Sequence, residues 1–149
     1  MNKEKAVDAL NELIIINNDR IEGYETAIEE TNDQDLKGLF AGMIQCSQNC
    51  KNELINEVKL LGGSPDEGTK NIGKIYRMWM DLKAALTNKD RKGVLNSCEF
   101  GEDVAKGTYE KVLEQENEHL SNEHRILIKA QYSKIKMDHD KIKALRDSH

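Results

Sequence analysis

The sequence predicts an all-α fold, a four-helix bundle in up-down-down-up order with one long crossover. Three observations lead there. Apolar residues recur at steps of three and four in four long stretches of matched length. Pro65 is the single proline, aromatics are few, and a third of the residues are charged, a composition that favours helix over sheet. The connections are unequal, two short and one long, and that inequality sets the chain order.

The first long helix is expected over about 3–30, with Val7, Leu10, Ile14, Asn17, Ile21, Tyr24 and Ile28 on its inward stripe. The polar break TNDQD, 31–35, leads into a second over about 33–61, carrying Leu36, Phe40, Met43, Ser47, Cys50, Leu54, Val58 and Leu61. Asn32 or Asp33 suits its N-cap, and the glycines of LGGSPDEG, 61–68, suit a left-handed stop that Pro65 enforces. The third spans about 90–116 and the fourth about 121–147, with Ile128, Gln131, Ile135, Asp138, Ile142 and Leu145 inward and Ser121 or Asn122 as its cap. Each is about 40 Å long at 1.5 Å per residue. Short breaks make the first and last pairs antiparallel hairpins. The connection 62–89 is long enough to run the length of the bundle, so the second and third long helices run parallel. Within it, about 73–87 reads as a short extra helix in which Met78, Trp79 and Leu82 cover an end or flank. The whole of 1–149 is read as one domain.

Composition narrows function by exclusion. The net charge is −5 with interleaved signs and no basic stripe, which argues against a nucleic-acid partner. The apolar run Leu13 to Ile16 is too short for a signal segment or a membrane span, so the expected setting is cytoplasmic, with no membrane partner. Cys46, Cys50 and Cys98 are an odd number without a secretory context and are read as small packing residues rather than a disulfide framework. No phosphate loop or nucleophile–base motif is present.

Several strings go further: GYETAIEE at 23–30, LGGSP at 61–65, RMWMDLKAALT at 77–87, GED at 101–103 and HDKIKALRD at 139–147. Together they resemble an uncharacterised bacterial family of small ferritin-like four-helix proteins, catalogued as a domain of unknown function. The resemblance covers nearly the whole chain, and the segment WMDLKAAL is its most specific part. It implies a ferritin-like fold and a bacterial, cytosolic setting, and no established activity. Metal-binding members of the wider ferritin-like group place Glu on two helices and Glu-x-x-His on the other two. This chain departs from that pattern. The middle of its second helix reads QCSQNCKNE, the corresponding spacing in the fourth gives Lys136-x-x-His139, and the central slot of the first holds Asn17.

One residue breaks the apolar rhythm. Along Val94, Cys98, Ala105, Tyr109 and Val112, the slot between Cys98 and Ala105 is Glu102. Asn17, Ser47 with Cys50, Gln131 and Asp138 fall at similar heights, with His139 on the stripe's edge. Unpaired buried polar groups cost on the order of 1–3 kcal/mol each, so this layer needs compensation. Two expectations satisfy it. In the preferred one, Asn17, Glu102, Gln131 and Asp138 form a structural hydrogen-bonded layer and no metal is bound. In the competing one, Glu102, Asp138 and His139 hold one iron, manganese or zinc ion, with Asn17 or Gln131 completing the shell, as a degenerate metal-binding or oxidoreductase site. The leading functional expectation is a non-enzymatic, cytoplasmic bundle, stress-associated by analogy, acting through a partner or as a homo-oligomer. Its interaction surface is expected at Met78, Trp79 and Phe100, with Val104 also off the core stripe.

Overall fold

The computed structural model describes residues 2–68 and 73–148, with backbone alone for 73–79. The described residues are helical, with no strand. The helices are α1 (Lys3–Glu30), α2 (Gln34–Leu60), α3 (Gly73–Thr87), α4 (Arg91–Gln115) and α5 (Asn122–Asp147), with a 3₁₀ turn at Asn117–His119 between the last two. The short extra helix thus occupies the expected span, and Leu82 is buried. The side chains of Met78 and Trp79 lie outside the described residues. No described helix is long and apolar enough to cross a membrane.

Local chemistry sets the boundaries. Each long helix starts on a side chain that accepts a hydrogen bond from its own first turn, a cap worth about 1 kcal/mol. Asn2 takes Lys5 N–H, Asp33 takes Asp35 and Leu36, Asp90 takes Gly93, and Ser121 takes His124. The end of α2 is a Schellman motif, with Gly62 N–H donating to Lys59 O at 2.9 Å and Gly63 N–H to Val58 O at 3.0 Å. Gly62 takes φ +80°, as the two glycines in the sequence suggest. The end of α3 repeats the motif, Lys89 donating to Leu86 O and Asp90 to Ala85 O, but the left-handed residue there is Lys89 at φ 56°.

Beyond Gly63 the chain turns back along α1. Asn11 donates to Ser64 O at 3.1 Å and accepts from Asp66 N–H at 2.8 Å, and Asn18 donates to Gly68 O at 2.9 Å. The crossover therefore begins by climbing α1, fastened by two of its asparagines.

Side-chain pairs give the relative directions of the helices. On α1 and α4, Glu12 meets Lys111, Asn17 meets Tyr109, and Arg20 meets Glu102. On α2 and α5, Glu57 meets His124 and the Cys50 carbonyl meets Gln131. On α4 and α5, Glu110 meets Tyr132 and Asp103 meets His139. On α1 and α2, Arg20 meets Ser47 and Tyr24 stacks on Phe40, ring centroids 5.3 Å apart. In every pair one number rises as the other falls, so each pair is antiparallel.

The apolar core is split in two. One cluster gathers Leu10, Leu13, Leu54, Val58, Val112 and Ile128 at one end. The other gathers Tyr24, Phe40, Met43, Leu82, Cys98 and Ile142 at the other, where α3 supplies cover. Polar side chains from four helices lie between them.

The two Schellman ends generate opposite expectations. A non-glycine residue in the left-handed region pays about 1–2 kcal/mol, less what glycine loses in chain entropy. Lys89→Gly should raise the urea midpoint, by about 0.5–1 kcal/mol of stability, and Gly62→Ala should lower it by about 1 kcal/mol. Equilibrium denaturation followed by circular dichroism reads both.

Candidate functional site: a buried ionic centre

The layer between the two apolar clusters is built around Arg20, only 2% exposed. Its guanidinium grips Glu102 with two parallel hydrogen bonds, Nη2 to Oε1 at 2.5 Å and Nε to Oε2 at 2.9 Å. Glu102 is fully buried. Nη1 donates to Ser47 Oγ at 2.7 Å, and Nη2 also reaches Asp138 Oδ2 at 3.2 Å. Two sulfurs complete the surround, Cys46 Sγ 3.9 Å from Nη1 and Met43 Sδ 3.6 Å from Nη2. Every nitrogen of the guanidinium thus has an acceptor, which a planar five-donor group needs when buried.

Electrostatics follow from that geometry. Burial alone would lower the pKa of Arg20, but the charge and hydrogen bonds of Glu102 outweigh it and fix the guanidinium as a cation. Burial pushes the Glu102 carboxyl above its ordinary value, against the pull of Arg20. Burial likewise raises the Tyr24 phenol and the Cys98 thiol, which leaves Cys98 an inert packing residue. All three cysteines are free; Cys98 and Cys50 are buried, and Cys46 is partly exposed.

Sequence reasoning put Glu102 in the core and asked what compensates it, and Arg20 is the residue it missed. The expected Ile14 and Asn17 of α1 are buried but Ile21 is only partly so, and a buried stripe runs through Leu13, Asn17, Arg20, Tyr24 and Ala27. Those five residues step by four, three, four and three, so the periodicity contained the signal. Arginine is mostly a surface residue, so its type does not mark Arg20 as a core position. The pairing also decides the effect of Glu102→Gln. Nearly neutral for a carboxylate among neutral partners, it becomes costly here because it strips a buried cation of its main counter-charge.

The other residues of the expected layer divide into two further groups. Asn17 Nδ2 donates to the Tyr109 hydroxyl at 2.9 Å, which donates to Gln131 Oε1 at 2.7 Å. Gln131 then donates to Cys50 O at 3.1 Å and to Glu53 Oε1 at 3.2 Å. This neutral relay crosses the bundle beside the ionic centre, and no direct bond joins Asn17 or Gln131 to Glu102 among the hydrogen bonds of the described residues. Asp138 stays with the centre, its side chain 24% exposed. His139 turns away from Glu102 and pairs with Asp103 at 2.5 Å and Asp140 at 3.1 Å. Val104 packs against the first apolar cluster as a partly buried residue, and Phe100 is 43% exposed.

A cleft of about 290 Å³ opens at one end of the bundle, lined by Asn32, Leu36, Leu86, Lys89 and Val94 and bridged by the Arg91–Asp33 ion pair at 2.6 Å. None of the ionic centre's residues lines it.

These features define a class: a helical bundle whose apolar core is interrupted by an internally neutralised polar layer. Comparison with known families then assigns the chain. It belongs to the family described as Domain of unknown function (DUF2383), whose profile matches residues 5–115, from α1 through α4. Comparison with curated proteins gives no match.

Removing one member of the pair tests the centre. Arg20→Met should cost about 3–5 kcal/mol near pH 7 by leaving Glu102 buried without its main partner, while Arg20→Met with Glu102→Leu should recover most of the loss. The single variant should also change the pH dependence. Burial without Arg20 holds Glu102 further above the ordinary value of 4.5. A carboxyl whose folded pKa is raised contributes stability fully below the unfolded value and loses it as pH rises. The gap between parent and Arg20→Met should therefore be smallest below 4.5 and widen above it, read by urea titrations across that range.

Proposed function

We propose that this chain is a ferritin-like bundle in up-down-down-up order whose central cation is its own arginine, and that it works as a non-enzymatic interaction protein rather than as a catalyst. The antiparallel pairing of α1 with α2, α1 with α4, and α4 with α5 supports the order, since α2 and α4 must then run the same way. The crossover fastened along α1 supports it too. The observation that carries the functional reading is the two-pronged Arg20–Glu102 pair. Where a ferritin-like enzyme would gather carboxylates and imidazoles around ions, this chain places a guanidinium against Glu102, Ser47 and Asp138 and pairs His139 with Asp103 instead. A carboxylate engaged at both oxygens and shut off from solvent has no free position for substrate. The bacterial, cytoplasmic and stress-associated setting belongs to the same proposal, by analogy with ferritin-like relatives.

The interaction we assign is self-association through the α3–α4 hairpin. Met80 on α3 and Phe100 on α4 stand 49% and 43% exposed. Leu82, Leu86, Val94 and Cys98 are buried in one cluster that joins α3 to α4. Large apolar side chains held in the open on one hairpin favour a second copy. Multi-angle light scattering across micromolar to millimolar concentration reads it. The parent should exceed monomer mass, and Met80→Ser with Phe100→Ser should restore the monomer. A parent that stays monomeric throughout removes self-association.

A further inference from the structure

The residues turned away from the ionic centre form a second cluster on the α4–α5 seam. Glu99 and Asp103 stand one helical turn apart on α4, so their carboxylates share a face. His139 of α5 is 8% exposed and meets that face with Nε2 2.5 Å from Asp103 Oδ1. One ligand atom from each of Glu99, Asp103 and His139 lies within 4.8 Å of the other two. The remaining imidazole nitrogen, Nδ1, is 3.1 Å from Asp140 Oδ1. An ion that displaces the proton shared by Nε2 and Asp103 would leave Nδ1–H donating to Asp140, which fixes the ring and turns the Nε2 lone pair to the ion, the arrangement that orients histidine toward a metal.

From this geometry we infer that Glu99, Asp103 and His139 form a site for one divalent transition-metal ion. The two carboxylates balance its charge with neutral imidazole, and one nitrogen with two oxygens suits ions of borderline hardness such as zinc, manganese, iron(II) or cobalt(II). Ligand atoms on such an ion sit roughly 3–3.5 Å apart, so His139 and Asp103, now 2.5 Å apart, need to part slightly while separations of up to 4.8 Å close. The exposed Asp103 side chain, at 56%, gives both the freedom to close and a path for the ion.

The competitor is Arg146, whose Nη1 pairs with Glu99. The same guanidinium already holds Asp147 through Nε at 3.2 Å and Nη2 at 2.9 Å. It therefore keeps a partner when Glu99 turns to the ion. The site is distinct from the ionic centre. Glu102 points inward from the same helix to Arg20, and the two share only the sequence neighbourhood of Asp138 and His139.

Cobalt(II) is the probe, because its visible bands report coordination and its near-ultraviolet charge-transfer band reports thiolate. Titration of chelator-treated full-length protein should saturate at one equivalent without a thiolate band. Asp103→Asn, at an exposed position that leaves the fold intact by circular dichroism, should weaken binding at least tenfold, and His139→Gln should do the same. Arg146→Met should tighten binding several-fold by freeing Glu99, a gain that loss of a merely structural ion pair would not give. Cys46→Ser with Cys50→Ser should change nothing. Absence of saturable binding by the parent overturns the site. So does undiminished binding by Asp103→Asn, or a thiolate band lost with the two cysteines.

Discussion

Glu102 cannot sit where it does without Arg20. A carboxylate with no exposed surface, flanked along its helix by Cys98 and Ala105, has lost water as a partner and must find a cation in the protein. Arg20 supplies it across the interior, from α1 to α4, and is itself held by Ser47 on α2 and Asp138 on α5. One side chain thus ties the four long helices together at one height. The apolar clusters on either side, with Leu54 and Leu10 in one and Phe40 and Tyr24 in the other, can slide only if this pair breaks. A buried ion pair contributes little net stability compared with well-packed apolar residues, whereas breaking one is expensive. Its consequence here is register: alternative alignments of four amphipathic helices would bury the same stripes but strand two charges.

The neutral relay enforces the same alignment with weaker groups. The Tyr109 hydroxyl accepts from Asn17 and donates to Gln131, and Gln131 spends its amide on a backbone carbonyl of α2. Each bond contributes about 1 kcal/mol when made, but each orphaned partner costs more than that when buried. Two adjacent layers of different chemistry, one ionic and one neutral, therefore penalise the same misalignments independently. Tyr109 reads from the sequence as core packing, and it is fully buried; its hydroxyl adds the specificity that its ring lacks.

The helices were legible because their signals are local. Asp33, Ser121 and the pair Gly62–Gly63 announce their ends in a few residues, and the extra helix at 73–87 follows from its own amphipathic pattern. Glu102 was legible as a carboxylate in an apolar rhythm. Its partner was not, because pairing is a tertiary fact: 82 residues separate Arg20 from Glu102, and the wheel that places one cannot place the other. The isoleucines flanking Arg20 compounded this. Ile14, Ile16 and Ile21 make α1 apolar over more than one face, so the stripe through Ile21 competed with the stripe through Arg20. Burial of a charge that demanded compensation was the remaining clue. A buried Glu can be met by a cation, by hydrogen-bond donors or by keeping its proton, and the wheel alone does not choose among them.

The sorting of α5 explains why one chain holds both an arginine-filled centre and carboxylates facing outward. Asp138 and His139 are adjacent, so they point about 100° apart on the helix. Once Arg20 draws Asp138 to the interior edge, His139 is directed onto the α4 seam, where Asp103 waits one residue beyond Glu102. The same neighbour relation thus operates on both helices: Glu102 and Asp138 face Arg20, while Asp103 and His139 meet each other on the α4–α5 seam. The matched family region ends at residue 115, before α5 begins, yet α5 contributes Asp138, Gln131 and His139 to the three polar groupings. In this chain the polar layer that α1, α2 and α4 begin is closed by α5, and on α4 and α5 the charge presented to Arg20 fixes what the next residue presents to the seam.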